Sequence, residues 1–233
     1  MDSPSSVGSS YAGEGFTDAE LANFYQRTSG HIAFIDESYR SPNQDLGVGN
    51  NTYYLLTAVV IRRTKVATVR ARLLEIAGAR KWHTTKEAQT AAGREKVLEM
   101  CRYLAQHSMS IVAVETKIET RDRDAEQARA ACMETLFQFL CANILPDDGL
   151  VVYERRQAPQ QPADRATVHR LRSRELIHPN LIVHPGSPAT EALLWAPDIV
   201  AWATRRVFAE GRTEYVEPLK AAKHFQILTV KKT

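Results

Sequence analysis

Cysteine is scarce in this chain. The three present among 233 residues, Cys101, Cys132 and Cys141, are odd in number and form no C-x-x-C pair. That composition argues against a disulfide framework and against a cysteine-based zinc site, and each cysteine sits in an apolar stretch of helical pattern that reads as reduced core. No apolar run approaches the roughly 20 residues that a membrane-spanning helix needs, so no membrane span is expected. The N-terminus lacks a basic segment followed by an apolar one, which leaves a cytoplasmic location as the default expectation. H-E-x-x-H, G-x-S-x-G, a P-loop and G-x-G-x-x-G are all missing, which sets aside zinc-hydrolase, serine-hydrolase, NTPase and dinucleotide readings. Charge of one sign is not in large excess either, the net value being +3.

What is present is an ordinary globular composition, 44% hydrophobic and 24% charged, long enough for one sizeable core. Residues 1–150 hold 17 basic against 19 acidic side chains, while residues 151–233 hold 13 against 8. Arg155, Arg156, Arg170, Arg172, Arg174, Arg205 and Arg206 belong to that basic part, which fits attraction of a polyanion or a solvated basic surface equally well. Residues 1–16, rich in Ser and Gly, read as a disordered tail ahead of a single domain over residues 17–233.

Thr17-Asp18-Ala19-Glu20 has the form of a capping box before a short helix. An apolar strand follows over His31–Asp36, turn residues over Ser41–Asn51, and a second strand over Tyr53–Ile61, together a hairpin. Apolar spacing then predicts helices from Val66, over Ala91–His107 and over Ala125–Leu145, with a strand at Ser110–Val114 between the last two. A strand at Leu150–Tyr153, a polar helix over Asp164–Leu176, a short strand at Leu181–Val183 and a helix from Ser187-Pro188 to Phe208 complete the pattern. This order predicts a three-layer α/β domain with a mixed sheet flanked by helices.

The chemistry lies in the acids. Asp36 and Glu37 end the first strand, Glu115 ends the strand Ser110–Val114, Glu154 ends Leu150–Tyr153, and Asp198 interrupts the apolar segment Leu193–Trp202. Ionised carboxylates beside a core are costly unless paired or metal-bound. In mixed α/β sheets, functional groups gather beyond the carboxyl ends of parallel strands. Helical spacing puts Asp198 beside the core-facing stripe, with Glu191 seven residues earlier on the same face. Clustered carboxylates without His or Cys suit Mg²⁺ or Mn²⁺ and phosphodiester chemistry, with Lys81, His83, Arg155 and Arg156 as candidate phosphate contacts. Each has a plainer alternative: a loop or cap for Asp36-Glu37, a surface ion pair for Glu154, solvent exposure for Glu115, an exposed loop for Lys81-Trp82-His83. Which of Glu115 and Glu154 is central depends on which strand lies next to the first.

Phe34-Ile35-Asp36-Glu37-Ser38, Lys81-Trp82-His83, Leu150–Glu154 and Leu193–Ala201, in that order, resemble the motifs of domain-of-unknown-function family 3800, regarded as a ribonuclease-H-like nuclease group. The resemblance spans roughly residues 31–210 and implies a ribonuclease-H-like fold in which Asp36, Glu154 and Asp198 hold the metal, with Glu37 adjoining. Three positions depart from the family pattern: Tyr39 replaces Gly, Glu154 replaces Asp, and Pro197 stands beside Asp198 where Ala is usual, predicting a kinked helix. The leading expectation is a metal-dependent hydrolase of DNA or RNA, with Glu37, Glu115 or Glu191 completing the metal shell. The alternatives are an inactive module binding nucleic acid or a protein partner, and, more remotely, a phosphatase using Asp36 as nucleophile, for which Ser38 stands where a second Asp is needed.

Overall fold

The computed structural model describes residues 19–43 and 51–230. The predicted tail, the Thr17-Asp18 half of the capping box and the turn residues Gly47–Asn50 lie outside them. In chain order the elements are α1 (Ala19–Arg27), β1 (His31–Arg40), β2 (Tyr53–Arg62), α2 (Val66–Ala77), α3 (Thr84–Glu87), α4 (Ala91–His107), β3 (Met109–Thr116), α5 (Glu126–Asn143), β4 (Leu150–Glu154), α6 (Gln161–Ser173), β5 (Ile182–Gly186), α7 (Trp195–Glu210), α8 (Glu217–Ala221) and β6 (Phe225–Thr229).

One mixed sheet runs in the order β5-β4-β1-β2-β3-β6. β2 alone is antiparallel to its neighbours; β1 pairs in parallel with β4, β4 with β5, and β3 with β6. Side chains alternate across a strand, so each strand feeds two cores. Ile32 and Phe34 of β1, with Leu150 and Val152 of β4, pack under α1, α2, α4 and α7. Ala33 and Ile35, with Val151 and Tyr153, pack under α5 and α6. β2 lies in the middle of the sheet and is buried from Tyr53 to Ile61, which accounts for its unbroken apolar sequence.

The predicted three-layer α/β arrangement with a mixed, helix-flanked sheet is what the chain adopts. Two differences bear on the site. β1 continues four residues past Asp36, because Glu37, Ser38, Tyr39 and Arg40 stay paired with β2. The last long helix starts at Trp195 rather than Ser187, after a 3-10 turn over Ala192–Leu194. Pro197 therefore occupies the first turn of α7, where its missing N–H costs no intrahelical bond, and the predicted break does not arise. α8 and β6 were not predicted from the sequence. A Cβ on Gly93 would stand 1.9 Å from the Glu87 carbonyl oxygen, so only glycine lets the α3 turn press onto the start of α4.

Candidate active site

β4 stops at Glu154 while β1 runs on to Arg40, leaving a notch beside the overhanging end of β1. Alternation from Phe34 and Val152 places Asp36 and Glu154 on the α7 side of the sheet, on adjacent parallel strands. α7 crosses that side and brings Asp198, in its first turn, to the same cavity of about 430 Å³. The strand next to β1 is β4, so Glu154, not Glu115, is the acid beside Asp36.

The three acids repel one another. Asp36 is held well above the usual carboxylate range, first by burial and then by the charges of Glu154, Glu37 and Asp198; the Glu37 backbone N–H, donating to Oδ1 at 2.7 Å, opposes this only in part. Burial, followed by the charges of Glu37 and Asp198, pushes Glu154 up to about 7, against a hydrogen bond from Asp36. Both carboxyls are thus biased toward their protonated forms. Thr57, directly opposite Asp36 on β2, has a buried hydroxyl with no partner. An all-oxygen donor set in which burial and neighbouring acids raise Asp36 and Glu154, with an orphaned hydroxyl beside it, fits a hard divalent cation by its chemistry. Among the described residues no three or more His, Cys, Asp or Glu side chains are already gathered into a metal-holding arrangement, so the carboxyls would have to turn toward a shared ion.

Asp198 is fixed by the first residue of α3. Its Oδ2 accepts from the Thr84 backbone N–H at 3.0 Å and from the Thr84 hydroxyl at 2.8 Å, and that hydroxyl accepts from Trp82 Nε1 at 2.9 Å. One carboxylate oxygen is committed to this chain of donors and the other is left for the cavity. The sequence singled out Lys81 and His83 in this stretch; Trp82 and Thr84 are the pair that orients the site. The available signal was Thr84 as a polar residue entering a short helix beside a buried tryptophan. Thr84→Val keeps the backbone donor and removes the hydroxyl, leaving Trp82 Nε1 without its acceptor and Asp198 with one donor fewer, so a loss of about 1–3 kcal/mol of stability is expected. Urea unfolding checks this, an unchanged midpoint counting against the role.

The remaining candidates divide. His83 is exposed and lines the cavity with Arg155, whose guanidinium also donates to the Pro185 carbonyl at 3.1 Å. Lys81 is exposed but is not part of the cavity wall. Arg156 is engaged with Glu126, Asp164 and the Gln160 carbonyl, so it stabilises the wall rather than offering a spare fork to phosphate. Glu37 points to the opposite side of the sheet from Asp36 and pairs with Arg129 at 2.8 Å, although it still borders the cavity. Glu115 faces that same opposite side, two strands away, against Cys132.

Glu191 does not share a helix face with Asp198. It caps the 3-10 turn, accepting from Leu193 N at 2.9 Å, and is fully buried against Tyr25 and a bidentate Arg70. Its charge is spent on joining α1, α2 and the entrance to α7, so it is not available to complete a metal shell. Arg205, visible in the sequence only as part of the basic excess, lines the cavity and touches the Tyr53 hydroxyl, which also meets Ser38.

No family model and no curated protein matches the sequence. Among solved structures the chain is similar to a glutamine-to-alanine mutant of Bst-RNase HIII, with 12% identity over 85% of this chain and 56% of that one at a TM-score of 0.43. It is also similar to Bst-RNase HIII in complex with Mn²⁺, with 12% identity over 86% of this chain and 71% of that one at a TM-score of 0.41. This chain thus spans little more than half the length of the first of them. Similarity this low carries no activity, substrate or metal across. The fold is ribonuclease-H-like on its own topology: β1, β2 and β3 form an antiparallel meander, and β4 and β5 add in parallel beside β1. No helix among the described residues is long and apolar enough to cross a membrane.

Proposed function

We propose that the chain is a divalent-metal-dependent phosphodiester hydrolase acting on nucleic acid, and that it belongs with domain-of-unknown-function family 3800. The observation that carries this reading is the convergence of Asp36, Glu154 and Asp198, from two adjacent parallel strands and a crossing helix, into one cavity where burial and neighbouring acids hold Asp36 and Glu154 above their ordinary values. Those three carboxylates would hold Mg²⁺ or Mn²⁺. The ion would activate a water and neutralise charge on the scissile phosphate.

The protein's own groups supply the rest. Thr84 holds one oxygen of Asp198 and the Glu37 N–H one oxygen of Asp36, so each of these two acids keeps its second oxygen for an ion. His83, Arg155 and Arg205 line the same cavity and face a phosphate entering over the acids. A cation held by the ionised carboxyls would lower these raised values, so proton release on titration with Mn²⁺ is the expected signature of the site.

The deciding experiment is cleavage of labelled single- and double-stranded DNA and RNA by the purified protein with Mn²⁺, Mg²⁺ or chelator. Cutting in the presence of the divalent ion and none with chelator is the expected result. Tight binding of nucleic acid with no cutting under any condition would replace the hydrolase by a binding module; the observation on that side is that the carboxyls are not yet gathered around one point.

A further inference from the structure

The overhang of β1 puts an aromatic ring at the mouth of the cavity. Tyr39 is one of only three large apolar side chains that are exposed among the described residues, and the only one of them lining this cavity. It lies directly across the strand pair from Tyr54, and the two rings stack with centroids 5.3 Å apart and planes 11° from parallel. Tyr54 is itself immobilised: it is buried, and its hydroxyl accepts from Arg129 at 2.7 Å, while Arg129 is clamped on Asp164 at 2.7 and 3.1 Å. One face of the Tyr39 ring is therefore covered by a fixed partner, and the residue is still 39% exposed. A rigid ring with exposed surface is a stacking platform that loses little conformational freedom when something settles on it.

The ring is shared between two hollows. Alternation puts the ring, like Glu37, on the side of the sheet opposite Asp36, yet it lines the acid-bearing cavity past the end of β4 and also a second cavity of about 500 Å³ whose wall includes Ser41, Asn43, Asp124 and Glu126. Gln160 borders both. Each hollow is at the small end of the range for ligand sites, room for a nucleotide unit and not for a base pair with its backbones.

We infer that the substrate enters as an unpaired strand, with one base stacked on the exposed Tyr39 ring while the adjoining phosphate lies over Asp36, Glu154 and Asp198. In a duplex both faces of an interior base are covered by its neighbours, so only an unpaired or unstacked base can offer a face to the ring. Stacking needs no hydrogen-bond code, so tolerance of sequence follows. The selected class is single-stranded nucleic acid, or a locally opened duplex, whichever sugar it carries. This deepens the proposed hydrolase and rests on that reading for the placement of the phosphate, but the stacking step itself requires no metal.

Equilibrium binding in chelator separates the two claims. The probes are fluorescein-labelled (dT)₁₂, (rU)₁₂ and a blunt 12-base-pair DNA duplex, read by anisotropy. Wild type is expected to bind both single strands more tightly than the duplex. Tyr39→Ala is expected to weaken single-strand binding at least about fivefold, the low end of the effect of losing one stacked base, and to leave duplex binding unchanged. Tyr39→Trp should restore the preference; an exposed position tolerates both changes, and a thermal melt verifies folding. Equal losses on all three probes, or no loss in Tyr39→Ala, overturn the inference even if cleavage with Mn²⁺ is found. A Tyr39-dependent single-strand preference without cleavage under any metal would instead keep the stacking platform and remove the hydrolase.

Discussion

Asp36→Asn is expected to lower cation-dependent cleavage by more than roughly a thousandfold, a loss of about 4 kcal/mol of transition-state stabilisation, and at the same time to stabilise the cation-free protein above pH 7. The two effects have one origin. Asp36 is held well above the usual carboxylate range by burial and by Glu154, Glu37 and Asp198, and Glu154 is raised to about 7 by burial and by Glu37 and Asp198. An acid whose pKa is raised on folding binds more protons in the folded chain than in the unfolded one. Stability therefore falls as pH rises from the ordinary value of Glu154, 4.5, through about 7, and the penalty is fully present above that. Asn removes the buried Asp36 charge and with it the Asp36 share of the pH dependence, while the Glu154 share, set by burial, Glu37 and Asp198, stays. Mn²⁺ should raise the melting temperature of wild type at pH 7.5 by binding the folded state and should do much less for the variant. Melting curves from pH 5 to 8, with Mn²⁺ and with chelator, test this beside the cleavage rate. A wild type equally stable at pH 5 and 8 would mean that the acids are solvated, and a variant that still cuts would remove Asp36 from the chemistry.

How much of this was legible in the sequence follows from the range of the forces involved. The acids at Asp36, Glu154 and Asp198 stand out because each interrupts an apolar run, a local contrast that a single chain displays. Alternation along a strand is equally local, and it already separates Asp36 from Glu37: with Ile32 and Phe34 on one side, Asp36 must follow them and Glu37 must not. The role of Glu191 was misread because helical spacing was extended backward through Ser187-Pro188, whereas the chain turns at Glu191 and begins α7 at Trp195. Its bidentate partner Arg70 lies 121 positions away, a pairing no local pattern exposes. Thr84 was missed for the same reason, its acceptor Asp198 being 114 positions off. β6 is a weak edge strand, partly or wholly exposed along its length, and lacks the apolar run that marked β2 and β3.

Arg129 is the residue whose loss should damage the fold most. It is 3% exposed, and its guanidinium reaches Asp164, Tyr54 and Glu37 together, at 2.7 to 3.1 Å. Asp164, 1% exposed on α6, also takes Arg156, which in turn holds Glu126 of α5. The network thus joins α5, α6, the end of β1 and the segment after β4, all on the side of the sheet opposite Asp36. A buried ion pair gains little over apolar packing when both partners are present, because desolvation offsets attraction, but removing one partner strands the other in a medium that solvates it poorly. Arg129→Met fills similar volume and leaves Asp164 with Arg156 alone and Glu37 and the Tyr54 hydroxyl without their partner. A loss of about 3–5 kcal/mol is expected, a large share of the stability of an ordinary domain. The double variant Arg129→Met with Asp164→Leu should recover the part due to the stranded Asp164, while Glu37 and the Tyr54 hydroxyl stay without their partner. Urea unfolding of the wild type, both single variants and the double variant closes the cycle. A single-variant loss below about 1 kcal/mol is the value of a solvated surface pair, and would show that water reaches the network. A large loss with partial recovery in the double variant would instead identify stranded charge as the cause.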